Sequence, residues 1–329
     1  MQLWDVESSL PYAMKGQFVR DQHGESVWVV CLKTGWQQNG GQWQPLEAQP
    51  EIFATPVFAG EAGFSALLAD QDFVVSKTNT DVLVQGHARS YGKQPVTQMN
   101  CRLLIEEHID KTLQVMGPRQ WITQAGQVGV TVPAAFIEQP VSYAQAMGGE
   151  DERNRVGCGV AGKPMDLLVQ PVPSVFYPGQ DWRIEGAKVQ PASFGPVAVF
   201  DMPRAALAGT FDAQWQEERR PLYPLDFDPA FYQSAPKDQQ AKGLLAGGER
   251  LILSGFNHEE TLYFNVPRRT FSAHADFGNG QEKKQMALHT LSVDADALTV
   301  TATWSAAFPC QGREATLVKT VISEEQASV

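Results

Sequence analysis

The chain has little of what most metal and nucleophilic sites are built from, with four cysteines and six histidines among 329 residues. Cys31, Cys101, Cys158 and Cys310 lie far apart without C-x-x-C spacing, which predicts reduced, partly buried thiols rather than bridges or zinc ligands. His23, His87, His108, His274 and His289 stand singly. His258-Glu259-Glu260 begins like H-E-x-x-H, but Leu262 occupies the place of the second histidine and the segment reads as a turn. No window approaches the roughly 20 apolar residues of a membrane span, and the first residues carry no signal-peptide run. A cytoplasmic protein is expected. Positive charge is also scarce: 26 Lys and Arg against 37 Asp and Glu give a net charge of -11, the wrong balance for a phosphate-binding stripe, so no nucleic-acid partner is expected.

What is present is alternation with period two. It runs through Val27–Lys33, Val82–Ala88 and Thr261–Pro267, and most clearly through 298–304, where Leu298, Val300, Ala302 and Trp304 share one face and threonines the other. Turn residues fall between such runs, among them Asn39-Gly40-Gly41, Gly247-Gly248, Gly278-Asn279-Gly280 and Asp294-Ala295-Asp296. The pattern predicts a mainly β protein, antiparallel sandwich or barrel-like, with a few short helices in a long connection. At 329 residues, two domains are expected. The glycines and charges of 148–163 place their boundary, giving an N-terminal β domain over 1–146, a linker loop over 147–175 and a C-terminal β domain over 176–329.

Three motifs are incomplete. Gly157-Cys-Gly-Val-Ala-Gly162-Lys163 lacks the Ser or Thr of a P-loop, because Pro164 follows. A turn-rich loop is the better reading. Gly63-Phe64-Ser65 lacks the second glycine of a nucleophile elbow. Asp226 and Asp228 could in principle act as a carboxylate pair in hydrolysis, but they read better as a turn residue and a helix cap. No catalytic residue, metal or cofactor is expected.

The connection over 194–240 concentrates aromatics, prolines and paired charges. Thr210 is placed as a helix cap with Asp212 in the first turn, Arg219 and Arg220 in the last, and Pro221 as the stop. Phe211 and Trp215, four apart, present one aromatic face. Asp228-Pro229 starts a second helical turn.

Ordered matches then cover nearly the whole chain: K-T-N-T-D-V at 77–82, G-P-R-Q-W at 117–121, P-V-S-Y-A-Q-A-M-G-G at 140–149, F-G-P-V at 194–197, L-A-G-T-F-D-x-x-W at 207–215, E-R-R-P at 218–221, P-L-D-F-D-P-x-F at 224–231 and A-P-K-D-Q-Q at 235–240. By these the chain resembles the bacterial domain-of-unknown-function family whose members serve as adaptor chaperones in type VI secretion gene clusters. It departs at Asn154-Arg-Val-Gly157-Cys-Gly159, which lacks the proline of N-P-x-G-x-G, and at Pro118, where an acidic residue is usual. The resemblance implies binding of an effector through its PAAR-type N-terminal region and its transfer to the VgrG spike. Partner-binding residues are expected at Trp215, Arg219, Arg220, Tyr223, Asp226, Phe227, Asp228 and Phe231. Lys77, Asp81, Arg119, Trp121, Gly148, Gly149, Gly195, Pro196 and Gly209 are expected to be structural, Lys77 and Asp81 as an ion pair. The alternatives are a carboxylate-dependent hydrolase or a structural part of the secretion apparatus.

Overall fold

The computed structural model describes residues 4–180, 189–278 and 280–325. The expected turn at Gly278–Gly280 includes residue 279, outside the described residues. Strands dominate, and they form open sheets. A six-stranded sheet has the order Ala13–Arg20, Ser26–Asn39, Thr299–Pro309, Ala287–Asp294, Asp81–Gln85, with Gln42–Pro45 also paired to Ser26–Asn39. Its last pair is parallel and the others are antiparallel. A five-stranded antiparallel sheet runs Val175–Phe176, Ile109–Met116, Gln98–Ile105, Arg250–Ser254, Leu262–Asn265. A four-stranded sheet joins Val6–Glu7, Lys319–Glu325, Thr270–Asp276 and Gln281–Gln285.

The alternation decides which face is buried. Trp28, Val30 and Leu32 meet Val300, Ala302 and Trp304 on one side of the six-stranded sheet, in one core with Leu103 and Leu113 of the second sheet and Phe271 and Ala273 of the third. The opposite face is apolar at one end, where Val27, Val29 and Cys31 pack under Ile52 and Phe73. Toward the other end it is lined by hydroxyls and lysines. Leu298 packs against the main core but has φ of 53°, so it turns the chain before the strand begins at Thr299.

The two-domain division is corrected by the pairing. Strands before residue 147 and after residue 175 alternate within both large sheets and share one core. A local break in composition marks a loop, whereas sheet assembly is set by non-local pairing that such a break does not report. Nor is 147–175 a plain linker. Met147–Gly149 pairs in parallel with Cys158–Val160, around a buried Asn154 whose amide donates to the carbonyls of Tyr143 (2.8 Å) and Met147 (2.9 Å). A Cβ on Gly148 would lie 2.1 Å from the Asn154 carbonyl oxygen, so the motif needs glycine for close backbone approach. All four cysteines are free and buried, as expected.

Candidate partner-binding surface

Between Phe176 and Arg250 the described residues form no strand, only short helical turns, and the chain is held by side-chain fastenings. The main one is the K-T-N-T-D segment. Lys77 Nζ meets Asp81 Oδ2 at 2.6 Å, with side chains 4% and 0% exposed. Asp81 also accepts from Gln233 Nε2 (2.7 Å), Ser234 N (2.7 Å) and Ser234 Oγ (3.2 Å). Thr80 Oγ1 donates to Leu288 O and accepts from Leu245 N, and Asn79 Oδ1 accepts from Gly243 N. The expected ion pair is therefore the centre of a clamp between the sheet and the connection.

A second fastening was not foreseen, although a lysine within the apolar alternation of Ile109–Met116 could have drawn attention to it. Buried Lys111 donates from Nζ to Ser193 O (2.8 Å), Gln239 Oε1 (2.8 Å) and Asp238 Oδ1 (3.0 Å). Gln239 in turn donates to Val82 O and Phe194 O. Burial pulls the Lys111 ammonium down to about 8, against the opposing effect of Asp238. Below pH 8 the folded state carries a desolvated charge; between pH 8 and the unfolded value near 10.5 the unfolded chain binds more protons, so stability rises with pH. Relative to Lys111→Met, the wild type should gain on the order of 3 kcal/mol across that window in urea melts. A difference that stays flat would refute the assignment.

The aromatics divide into two groups. Phe227, only 8% exposed, packs with Val74, Tyr232, Tyr223 and Phe231, with the Tyr223 and Phe227 rings 4.3 Å apart. These rings pin the connection to the chain around Val74. Arg204, missed by sequence reading, reinforces them: it bonds Phe231 O at 2.8 Å and Val197 O at 3.0 Å and pairs with Asp70 at 2.6 Å, buried on both sides. The second group faces outward. Phe211 is 51% and Leu225 82% exposed, and Phe211 stands edge-on to half-buried Trp215 with ring centres 4.7 Å apart. Trp215 and Leu225 line one shallow hollow of about 140 Å³. Leu225 was also missed; its one advance sign is an aliphatic residue within a run of turn formers.

Helix Ala213–Glu218 is capped by Asp212, which accepts from Trp215 N at 2.8 Å. This corrects Thr210 as the cap. Thr210 instead donates from N (3.0 Å) and Oγ1 (2.8 Å) to Asp226, bonds that hold the Asp226 carboxyl below its usual range. Asp228 caps Ala230 N at 2.8 Å. Both carboxylates of the imagined acid-base pair thus brace local backbone. Gly209 lies against the first of them with φ of 90°; a Cβ there would lie 2.6 Å from Asp226 Oδ1 and 2.8 Å from Pro224 Cβ. Trp215 Nε1 donates to Leu222 O, and Arg219 donates to Tyr223 O and Gln22 O, fixing the corner against the N-terminal hairpin turn. Arg220 is exposed, as are Asp212, Glu217, Glu218, Asp226 and Asp228; Asp212, Glu218 and Asp226 line the hollow with Trp215 and Leu225.

The remaining predicted residues lie elsewhere. Arg119 stacks on Phe176 (5.5 Å) and bonds Pro173 O, while Trp121 Nε1 reaches Pro171 O at 3.4 Å. Gly149 has φ of 99° beside Gly148. Gly195 N bonds Ser193 Oγ, and Pro196 is buried. Among the described residues, no group of three or more His, Cys, Asp or Glu is placed to hold a metal, and no helix is long and apolar enough to cross a membrane.

A family model described as an uncharacterized protein conserved in bacteria, DUF2169, matches residues 23–305. No curated protein and no solved structure matches the chain.

Proposed function

The chain belongs to the DUF2169 family of proteins conserved in bacteria, and for this member we propose a binding role: a non-enzymatic adaptor that holds a PAAR-bearing effector in the cytoplasm and assists its loading onto the VgrG spike. The observation that carries the proposal is the outward Phe211–Trp215–Leu225 ledge, apolar at its centre and rimmed by carboxylates, on a connection fastened by the Asp81, Lys111 and Arg204 networks. A pre-ordered loop presenting apolar groups loses little conformational freedom on docking. Its acidic rim suits a partner face with basic residues around an apolar centre. Phe227, Tyr223 and Phe231 serve this surface from beneath, while Phe211, Trp215 and Leu225 supply its contacts. The sequence matches at 207–215 and 224–231 frame the same ledge.

The test is co-expression with a candidate PAAR-bearing effector, followed by size exclusion with light scattering. A stoichiometric complex is expected. Phe211→Ser with Leu225→Ser should weaken it by at least about 30-fold, the loss of one hot spot of about 2 kcal/mol, with an unchanged melt. Separate elution of wild type and effector, or a double variant that binds as tightly as the wild type, would overturn the reading.

A further inference from the structure

The polar end of the six-stranded sheet forms the floor of a cavity of about 290 Å³. Strand register arranges that floor in rows. Asp81, Thr290, Thr303 and Lys33 lie side by side in the first row; Leu83, Ser292 and Thr301 in the second; Gln85, Asp294 and Thr299 in the third. The roof is the strap carrying Phe53, Val57 and Leu68, which Gln85 latches by donating its amide to Leu68 O. The floor therefore carries hydroxyls, with Asp294 at one end accepting from Asp296 N and Ala297 N, and the strap faces it with apolar side chains beside Asp70, Gln71 and Asp72.

Charge at the closed end is already matched. Lys33 pairs with Asp72 at 2.9 Å, Lys77 with Asp81 at 2.6 Å, and Asp70 of the strap with Arg204 at 2.6 Å. Asp72 also accepts from Phe53 N and Thr303 Oγ1. An anion would have to displace Asp72 or Asp81 from a lysine, and a cation would approach two buried ammonium groups. Both carry the cost of disturbing a desolvated pair. The hydroxyls of Ser292, Thr301 and Thr299 line the cavity, and none has a hydrogen-bond partner among the described residues. They are available as donors and acceptors opposite an apolar roof.

We infer that this cavity is a binding site for a small neutral polyhydroxylated ligand of monosaccharide size. Such a ligand turns its C–H face to Phe53, Val57 and Leu68 and its hydroxyl edge to Ser292, Thr301 and Thr299. At about 30 Å³ per water, the volume corresponds to roughly ten waters, enough for one sugar ring. The inference is independent of the adaptor reading, since the cavity and the hollow beside Trp215 and Leu225 share no lining residue.

The experiment is isothermal titration of the full chain with D-glucose, N-acetyl-D-glucosamine and myo-inositol, with glucose 6-phosphate and glucosamine as anionic and cationic controls. At least one neutral probe is expected to bind with one-to-one stoichiometry and more tightly than either charged control. Ser292→Ala and Thr301→Val should each weaken binding by up to about tenfold with little change in melting, the effect of one lost hydrogen bond. Amide shifts on titration should cluster at Phe53, Leu68, Ser292 and Thr301, a readout that stands even where a variant fails to fold. No binding of any neutral probe at roughly 10 mM, tighter binding of a charged control, or shifts centred elsewhere would overturn the assignment.

Discussion

Asp81→Ala should destabilise the fold by about 3–5 kcal/mol, because it leaves the buried Lys77 ammonium without its counter-charge. It also removes the acceptor of Gln233 Nε2, Ser234 N and Ser234 Oγ, so the connection loses its hold on the sheet at the same moment. In a melt the expected shift is on the order of 10 °C. Lys77→Met combined with Asp81→Asn removes both charges while keeping a side-chain acceptor, and it should cost markedly less than Asp81→Ala alone, a coupling that a double-mutant cycle reads directly. Limited proteolysis supplies the second readout. Cutting within 233–245 should accelerate in Asp81→Ala more than in the double variant. A loss below about 1 kcal/mol, in the range of exposed pairs, would show that the pair is not the centre of the clamp.

The second large effect is acid sensitivity at His289. The β-bulge between Leu288 and Thr290 leaves His289 outside the ladder, buried, with no hydrogen-bond partner for Nδ1 among the described residues. Burial, and then the neighbouring Lys77 charge, lowers its pKa from 6.5 to about 3. The folded state keeps this imidazole neutral while the unfolded chain protonates it. Between pH 6.5 and 3 the unfolded state therefore binds more protons, and stability falls as the pH falls. The whole window is worth on the order of 5 kcal/mol, of which about 3 falls between pH 6.5 and 4. Above pH 6.5 the group adds no pH dependence. His289→Leu should lessen the acid loss between pH 7 and 4 by about 3 kcal/mol without lowering stability at pH 7. Urea melts at pH 7, 5 and 4 on both proteins measure the difference, and parallel curves would refute it. Exposed carboxylates such as Asp226 act in the same direction but cancel in the comparison.

Much of the fold was legible in the chain because strand alternation is a local property. The 298–304 run announced one buried face, and the structure places Val300, Ala302 and Trp304 there. The capped turn at Asp228-Pro229 and the Phe211–Trp215 contact were legible for the same reason, since each involves residues within one turn. The Lys77–Asp81 pair was readable from spacing alone. Its partners Gln233 and Ser234 were not, being about 150 residues away.

The aromatic-rich connection could be found by composition, but which of its rings face water could not. Phe227 and Leu225 sit two residues apart with similar neighbours, and one is 8% exposed and the other 82%. Contact with Val74, Tyr223 and Tyr232 decides that difference. The expected domain boundary failed in the same way, because glycines and charges report a loop and not the pairing of Arg250–Ser254 with Gln98–Ile105. The sequence by itself determined the strand pattern, the unbridged cysteines, the acidic balance and the Asp228 cap, all set by neighbours along the chain. Tertiary structure alone decided the single shared core, the inward and outward aromatics, the buried charges of Lys33, Lys111 and Arg204, and the hydroxyl-lined cavity. Each of these depends on which distant segments exclude water from one another.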